Sequence, residues 1–408
     1  MRFASWGGMG EKGRVIAGPR GFFAVNDVHF RWHRDCHIRM PKVPGQMLRD
    51  LQAALAVGAG FAIGPDGITP LPQAERGILQ SRSSGTTGAA KAIRRSHASW
   101  IASFRVNACA LAITSADVIG VLGTLQHSLP LYAIAEAAYL GADLLCLGGQ
   151  RPAQQALALS AHGATVLYAT PTQLRLIATA GQALPRLRHI LCGGGRMPAG
   201  LRDVLARLCP QASLREFYGA AETSFITWGG PDMPQGTVGR AYPGVELSID
   251  APAGQIGEIW VRSPYLFERY AEGHSPDTRW QNGFVSVGEL GRLDADGFLT
   301  VAGRRSRMVT IADRNVFPED IEAFLLADGA VDHCAVLPCP DPRRGVHLIA
   351  VIAGADDAAT HARLLALCRT EFGTLATPRQ VIAMADFPQT VSGKPDLAQI
   401  AHRLGATA

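Results

Sequence analysis

From residue 101 to about residue 249 the chain alternates short apolar runs with Ala/Leu-rich stretches, and this texture restricts the fold more than any other feature. Val118-Ile119-Gly120-Val121-Leu122 has strand character, and residues 131–140 have helical character. Leu144-Leu145-Cys146-Leu147 and Thr165-Val166-Leu167-Tyr168 suggest further strands, and residues 172–180 a further helix. His189-Ile190-Leu191-Cys192 is strand-like and runs into Gly193-Gly194-Gly195. Strands separated by helices indicate an α/β fold with a parallel sheet. Ligands of such sheets collect beyond the strand C-termini, where residues 193–195 and 83–88 are both expected to lie.

From Gly254 the pattern changes to short strands, Gly257-Glu258-Ile259-Trp260-Val261 and Gly297-Phe298-Leu299-Thr300-Val301, bounded by turns such as Asp294-Ala295-Asp296-Gly297. A β-rich subdomain follows from this. Beyond Arg304 a helix is expected from Pro318, strands around Ala335-Val336-Leu337 and residues 348–352, and a helix over 358–372, which together describe a small α+β domain. A chain of 408 residues exceeds one ordinary core, so a large and a small domain are expected.

Residues 83–91, Ser-Ser-Gly-Thr-Thr-Gly-Ala-Ala-Lys, concentrate hydroxyls, two glycines and a lysine. Small residues let a backbone approach phosphate oxygens, while N–H groups, hydroxyls and the lysine supply donors and charge. A polyphosphate loop and a plain turn both fit the segment taken alone. It is not a Walker A loop, since Lys91 follows alanine and precedes alanine.

Composition narrows the alternatives. An apolar content of 47% with 18% charge describes a globular protein, and the net charge of +5 is spread along the chain. The basic stretch at residues 31–39 is interrupted by Asp35 and carries no nucleic-acid motif, so no nucleic-acid partner is expected. Eight cysteines without C-x-x-C pairs point to reduced, mostly buried thiols of a cytoplasmic protein. His33, Cys36 and His37 lack the complementary pair of a zinc site. The start of the chain shows no signal-peptide apolar region, and the apolar stretch at residues 51–63 contains Gln52 and is too short for a bilayer span, so no membrane embedding is expected.

Four further segments follow the loop in order. They are Phe217-Tyr218-Gly219-Ala220-Ala221-Glu222-Thr223, Gly288-Glu289-Leu290-Gly291-Arg292-Leu293-Asp294, Gly303-Arg304 leading to Val316-Phe317-Pro318-Glu319-Asp320-Ile321-Glu322, and Pro388-Gln389-Thr390-Val391-Ser392-Gly393-Lys394. With residues 83–91 they resemble the core motifs of the adenylate-forming superfamily, which contains acyl- and aryl-CoA ligases, peptide-synthetase adenylation domains and firefly luciferase. The compact form is similar to the ligases that activate 4-coumarate for the photoactive yellow protein chromophore. A fold can be shared without its activity, so the residues must carry the function.

The resemblance implies a large domain of layered α/β subdomains plus a β-rich subdomain over residues 1–304, binding ATP and carboxylate and shortened at its N-terminus. It implies a small mobile α+β domain over residues 305–408. It implies joining of a carboxylic acid to ATP with loss of pyrophosphate, then transfer of the acyl group to coenzyme A or to a carrier-protein phosphopantetheine. Two anions must meet in the first step, which requires cations and fixed donors around the transferring phosphorus.

By this resemblance Ser83, Ser84, Gly85, Thr86, Thr87 and Gly88 with Lys91 hold the β- and γ-phosphates, Thr86 and Lys91 acting in catalysis. Glu222 binds Mg²⁺, a hard ion suited to oxygen ligands. Tyr218, next to Gly219, stacks on adenine beside Gly193, Gly194 and Gly195. Glu289 accepts the ribose hydroxyls with Arg304 nearby, and Lys394 bridges carboxylate and α-phosphate. His127 matches the segment where a histidine or aromatic lines the acyl pocket, although an isolated histidine there also suits a satisfied core position. Pro171, Gly194, Ala220 and Ala221 form other walls, leaving room for a flat or extended acid with no cation for a second charge. A homodimer is among the assemblies this resemblance allows.

Several positions depart from the pattern. Ala221 replaces a threonine and removes a hydroxyl near the phosphate, where a hydrogen bond to a charged group is worth roughly 1.5–3 kcal/mol. Glu289 replaces an aspartate. Arg307 stands at the expected hinge, and Thr310 and Asp313 replace a lysine and a glycine, which bears on the thiol step more than on adenylation. Only 82 residues precede Ser83, fewer than the family generally has, so part of the first α/β subdomain is expected to be missing or reduced.

Overall fold

Strands Asp143–Cys146, Val118–Val121, Val166–Ala169, His189–Cys192 and Ser213–Ala220 lie parallel in that order. Ser224–Gly229 and Arg240–Ala241 extend the sheet antiparallel. The computed structural model describes residues 16–18, 21–23, 28–39, 45–83, 91–198, 200–328, 330–341, 345–354, 356–390 and 393–405. Side chains alternate across the parallel strands. Ile119, Leu144, Val166, Tyr168 and Leu191 feed one core, and Val118, Leu145, Leu167, Ala169 and Ile190 feed another on the opposite face. Burial on both faces is what makes these strands read as continuous apolar runs.

Helices Pro152–Ala161, Pro171–Thr179 and Leu201–Leu208 cover the second face. The first face carries His97–Leu111 and Ser128–Leu140. Every residue of the latter helix from Pro130 to Leu140 is buried, because it also touches a second sheet through Ile78–Ser83. A helix that is apolar nearly all round fits such a two-sided position.

The second sheet has the order Arg269–Glu272, Lys91–Ser96, Ile78–Ser83, Phe61–Gly64, Gly67–Pro70. Residues 84–88, expected beyond a strand C-terminus, lie outside the described residues, and Ser83 ends the strand Ile78–Ser83 of this second sheet. That strand pairs antiparallel with Lys91–Ser96, from Ile78↔Ser96 to Ser83↔Lys91. A third, antiparallel sheet joins Glu246–Asp250, Gly257–Arg262, Arg279–Gln281, Phe284–Ser286, Glu289–Leu293 and Leu299–Arg304. Gly297 belongs to the turn before the last strand rather than to the strand itself.

After Arg304 a short 3-10 turn, Arg305–Arg307, leads to the hairpin Val309–Ile311 and Arg314–Val316. Asp313, where the resemblance expects glycine, adopts φ +63°, a left-handed conformation that aspartate tolerates better than most residues. The sheet Cys334–Asp341, Gly345–Ala353, Gln380–Met384 is covered on one face by Pro318–Leu326 and Ala358–Ala376 and on the other by Leu397–Arg403. Six of the cysteines are buried, Cys146 is half-buried and Cys109 exposed, and none is paired. Among the described residues, no helix is long and apolar enough to cross a membrane.

Candidate active site

The loops after four parallel strands converge at one sheet edge. Val118–Val121 leads to His127, Val166–Ala169 to Pro171, His189–Cys192 to the glycine run, and Ser213–Ala220 to Glu222. Thr170 starts its helix with a reciprocal cap: Gln173 N–H donates to Thr170 Oγ1 at 3.3 Å, and Thr170 N–H donates to Gln173 Oε1 at 2.9 Å. Pro171, preset for the first helical turn, is buried there. Gly193 lies against Phe217, whose ring would stand 2.3 Å from any Cβ at that position, so the close approach requires glycine. Gly194 and Gly195 are exposed, and a Cβ on either would only graze Thr170 or Pro171 at 3.6 Å.

His127 is half-buried at the N-terminus of helix Ser128–Leu140, and burial lowers its pKa, which favours a neutral ring. Ala220 and Ala221 are half-buried in the turn joining Ser213–Ala220 to Ser224–Gly229. Gly219 is required in that turn, since a Cβ there would meet the Ser224 carbonyl oxygen at 1.9 Å. Thr223 closes it by accepting from Ala220 N–H at 3.1 Å.

Glu222 projects from this turn, and its Oε1 accepts from the Tyr270 hydroxyl at 2.8 Å. Phe267 N–H donates to the Glu222 carbonyl at 2.8 Å. Lys91, the first residue of its strand, places its Nζ 5.8 Å from the centre of the same Tyr270 ring, within cation–π range. Arg95, on the same strand, is 1% exposed. Its guanidinium donates to Ser224 Oγ at 2.7 Å, to the Tyr265 carbonyl at 3.1 Å and to the Ala221 carbonyl, so it clamps the turn from behind. Burial lowers its pKa to about 10, opposed by the Glu222 charge.

Neither Arg95 nor Tyr270 was among the residues picked out from sequence. The available signal for Arg95 was the pair Arg94-Arg95 in a strand. Successive strand side chains face opposite ways, so one of the two must turn inward. Arg94 turns out, to Glu268 at 3.0 Å and to Glu75. Tyr270 carried no such signal.

A second cluster forms where the large and small domains meet. Tyr218 is half-buried and its hydroxyl donates to Glu289 Oε2, while Arg304 Nε stands 3.7 Å from Glu289 Oε1. Burial and then the Glu289 charge raise the Tyr218 pKa well above its ordinary value, which keeps the hydroxyl a donor. Lys394 is near enough to feel both Arg304 and Glu289. Solvent reaches its side chain, yet surrounding protein atoms lower its pKa, Arg304 repels it further, and Glu289 opposes both. Arg196, directly after the glycine run, donates to Asp320 at 3.3 Å, and Arg175 pairs with Asp332, so ion pairs also join the two domains.

Arg305 and Arg307 are tied to opposite domains. Arg305 donates to Glu258 Oε2 at 2.8 Å, whereas Arg307 donates to Glu322 at 2.7 and 3.1 Å and to the Val336 carbonyl at 3.1 Å. The expected hinge arginine is therefore held by the small domain. Of the expected phosphate-binding residues, Ser84, Gly85, Thr86, Thr87 and Gly88 lie outside the described residues, and Ser83 ends its strand.

The donor set suits a magnesium polyphosphate. Glu222 is a carboxylate of the kind a hard cation takes, Lys91 lies over the ring of its partner Tyr270, and Arg304 stands beside Glu289, so oxygen ligands and positive charge are both at hand.

Comparison with known proteins agrees with this geometry. The family model for AMP-binding enzymes matches residues 76–271, and that for the AMP-binding enzyme C-terminal domain matches residues 320–394. An uncharacterised acyl–CoA ligase of Bacillus subtilis, YhfT, is 32% identical over 80% of this chain and 68% of its own length. The salicyl-AMP ligase / salicyl-S-ArCP synthetase of Mycobacterium tuberculosis is 29% identical over 90% of this chain and 67% of its own. The chain thus spans about two-thirds of the length of these relatives. The o-succinylbenzoate CoA synthetase of Bacillus subtilis, solved with its acyl-adenylate, shares the fold at a TM-score of 0.71 and 24% identity, covering 79% of this chain and 68% of that one. The chain belongs to the adenylate-forming family of AMP-binding enzymes, as an acid–thiol ligase of the acyl- or aryl-CoA type.

Proposed function

We propose that the protein activates an aryl or acyl carboxylic acid with ATP and transfers the acyl group to coenzyme A. The observation that carries this is the Tyr218–Glu289–Arg304 cluster, in which the Tyr218 hydroxyl donates to Glu289 and Arg304 Nε stands 3.7 Å from the same carboxylate, with the Lys394 charge of the small domain within electrostatic range. Glu289 would accept the ribose hydroxyls, Tyr218 would lie against adenine, and Glu222 would hold Mg²⁺. The ion, when bound, would neutralise charge on the departing pyrophosphate. Lys394 would hold the substrate carboxylate against the α-phosphorus and stabilise charge as a carboxylate oxygen bonds to it and the bond to pyrophosphate breaks. A thiolate would then attack the acyl carbon and AMP would leave.

Pocket walls of Gly194, Ala220 and Ala221, with a half-buried His127, favour a flat acid without a second charge. A hydroxycinnamate such as 4-coumarate is the leading substrate. A second acceptor, a carrier-protein phosphopantetheine, is favoured by the similarity to the salicyl-S-ArCP synthetase, which extends over 90% of the chain. The test is pyrophosphate release across cinnamates, benzoates and fatty acids, followed by offering the adenylate to coenzyme A or to a phosphopantetheinylated carrier. Release independent of any acid would overturn the ligase reading, and transfer to the carrier alone would decide for the second acceptor.

A further inference from the structure

The strand Arg269–Glu272 lies outside every segment expected to act on ATP, yet it touches both ends of the loop. Ahead of the loop, Arg82 Nη2 reaches Glu272 Oε2 at 3.0 Å. Behind it, the strand pairs with Lys91–Ser96 through Tyr270↔Ile93 and Glu272↔Ala92. The register shifts between Tyr270 and Glu272, and such an irregularity re-aims a side chain. Tyr270 then lies with its ring under Lys91 and its hydroxyl on Glu222.

The direction of the protons follows from the partners. The Tyr270 hydroxyl has one proton, and a carboxylate accepts rather than donates, so that proton goes to Glu222. Thr278 Oγ1, 2.8 Å from the same hydroxyl, must therefore donate to the Tyr270 oxygen. The backbone near Glu222 is already fixed by Phe267 N–H and Arg95. What Tyr270 adds is the orientation of the carboxylate itself.

We propose that Tyr270 is a positioning residue for adenylation, coupling the phosphate-loop lysine and the metal-binding carboxylate into one unit. The proposal rests on the roles given above to Lys91 and Glu222. The ring and the hydroxyl divide the task, so two substitutions separate them. Tyr270→Phe keeps the ring under Lys91 and removes the donor to Glu222. Tyr270→Leu removes both.

The experiment is Mn²⁺ titration of the full chain followed by electron paramagnetic resonance, with a non-hydrolysable ATP analogue present. Analogue affinity is measured separately in EDTA. Loss of a partner behind a metal ligand commonly costs about 10- to 100-fold in metal affinity, and Tyr270→Phe is expected at about 10-fold, with metal-free analogue binding unchanged. Tyr270→Leu is expected to weaken both. Thr278→Val, which touches neither Lys91 nor Glu222, provides a milder second variant with a smaller rise in the Mn²⁺ Kd. Wild-type Mn²⁺ affinity in both Tyr270→Phe and Thr278→Val would overturn the proposal. Glu222→Gln separates the two levels. If it weakens Mn²⁺ binding and Tyr270→Phe does not, only the role of Tyr270 falls. If Glu222→Gln itself has no effect, the assignment of Glu222 falls and that of Tyr270 with it.

Discussion

Tyrosine–carboxylate hydrogen bonds occur both in the core of the large domain and at its candidate active site. In the core, Tyr168 donates to Glu136, and Asn107 Nδ2 donates to the same carboxylate at 2.8 Å. Tyr242 donates to Asn107 Oδ1 at 2.7 Å, and Asn107 Nδ2 reaches the Tyr132 hydroxyl at 3.1 Å. Glu136 is 0% exposed, and no described cation joins it. At the sheet edge, Tyr270 with Glu222 and Tyr218 with Glu289 make the same type of pair. There each carboxylate or its tyrosine meets a cation: Lys91 over the Tyr270 ring, and Arg304 beside Glu289 with the Lys394 charge in electrostatic range. The pair alone is a structural device. An added cation and an opening to solvent turn it into a site that can meet anionic ligands.

The comparison is broken most severely by removing the cation that the small domain supplies. Lys394→Ala is expected to reduce acid-dependent pyrophosphate release by about 10³-fold, at the upper range for losing one transition-state donor. Acyl transfer from preformed adenylate should stay largely intact, which single-turnover thioester formation measures. Equal losses in both half-reactions would place Lys394 outside the first step. Glu222→Gln keeps the shape of the side chain and removes its charge. It is expected to cost about 10- to 100-fold in adenylation, largely as a higher Mg²⁺ requirement, read from initial rates at varied Mg²⁺.

The lowered pKa of Lys394 gives a smaller effect with a defined sign. The protonated lysine is the active form, so adenylation falls as pH rises through that pKa, earlier than for an ordinary lysine. Lys394→Arg keeps the charge at all relevant pH, because guanidinium does not titrate there. Its profile should lose the alkaline limb even if its maximum rate is a few-fold lower. An alkaline limb unchanged in the variant would assign the ionisation to another group.

Much of the frame is legible in the sequence because each level leaves a local trace. Val118–Val121 and Val166–Ala169 read as strands because both faces are buried. The helix expected over residues 172–180 is found over Pro171–Thr179, started by the Thr170–Gln173 cap and Pro171. The carboxylates Glu222 and Glu289 stand out through the short motifs around them. The groups that orient them do not. Tyr270 meets Glu222 across 48 residues, and Arg95 reaches Ala221 across 126. Those distances are closed by strand pairing and by the packing of separate sheets, which no local period records. The phosphate-loop expectation falls on residues 84–88, which lie outside the described residues, while the strands that flank them belong to the second sheet rather than to the parallel one.

The core pair offers the smallest effect on the reaction and the sharpest contrast with the site. Burial raises the Glu136 pKa to about 7 from an ordinary 4.5, with Tyr168 and Asn107 partly offsetting it. A carboxyl whose folded pKa is raised holds its proton in the native state after the unfolded chain has lost it. Stability therefore falls as pH rises from about 4.5 to about 7, and the loss is complete above that window. A shift of this size corresponds to on the order of 3 kcal/mol. Glu136→Gln resembles the protonated carboxyl in shape and can still accept from Asn107. Denaturant unfolding should give a flatter stability profile between pH 4.5 and 7 and a gain of about 1–3 kcal/mol at pH 8, from the same linkage. Adenylation should change less than about twofold, as for a substitution that leaves the transition-state contacts intact. If Glu136→Gln instead impaired adenylation as strongly as Glu222→Gln, the division between a closed tyrosine–carboxylate pair and a cation-bearing one would not hold. His127 is the N-cap of the helix that carries Glu136, so a loss of that kind would reveal the buried network as part of the acyl pocket.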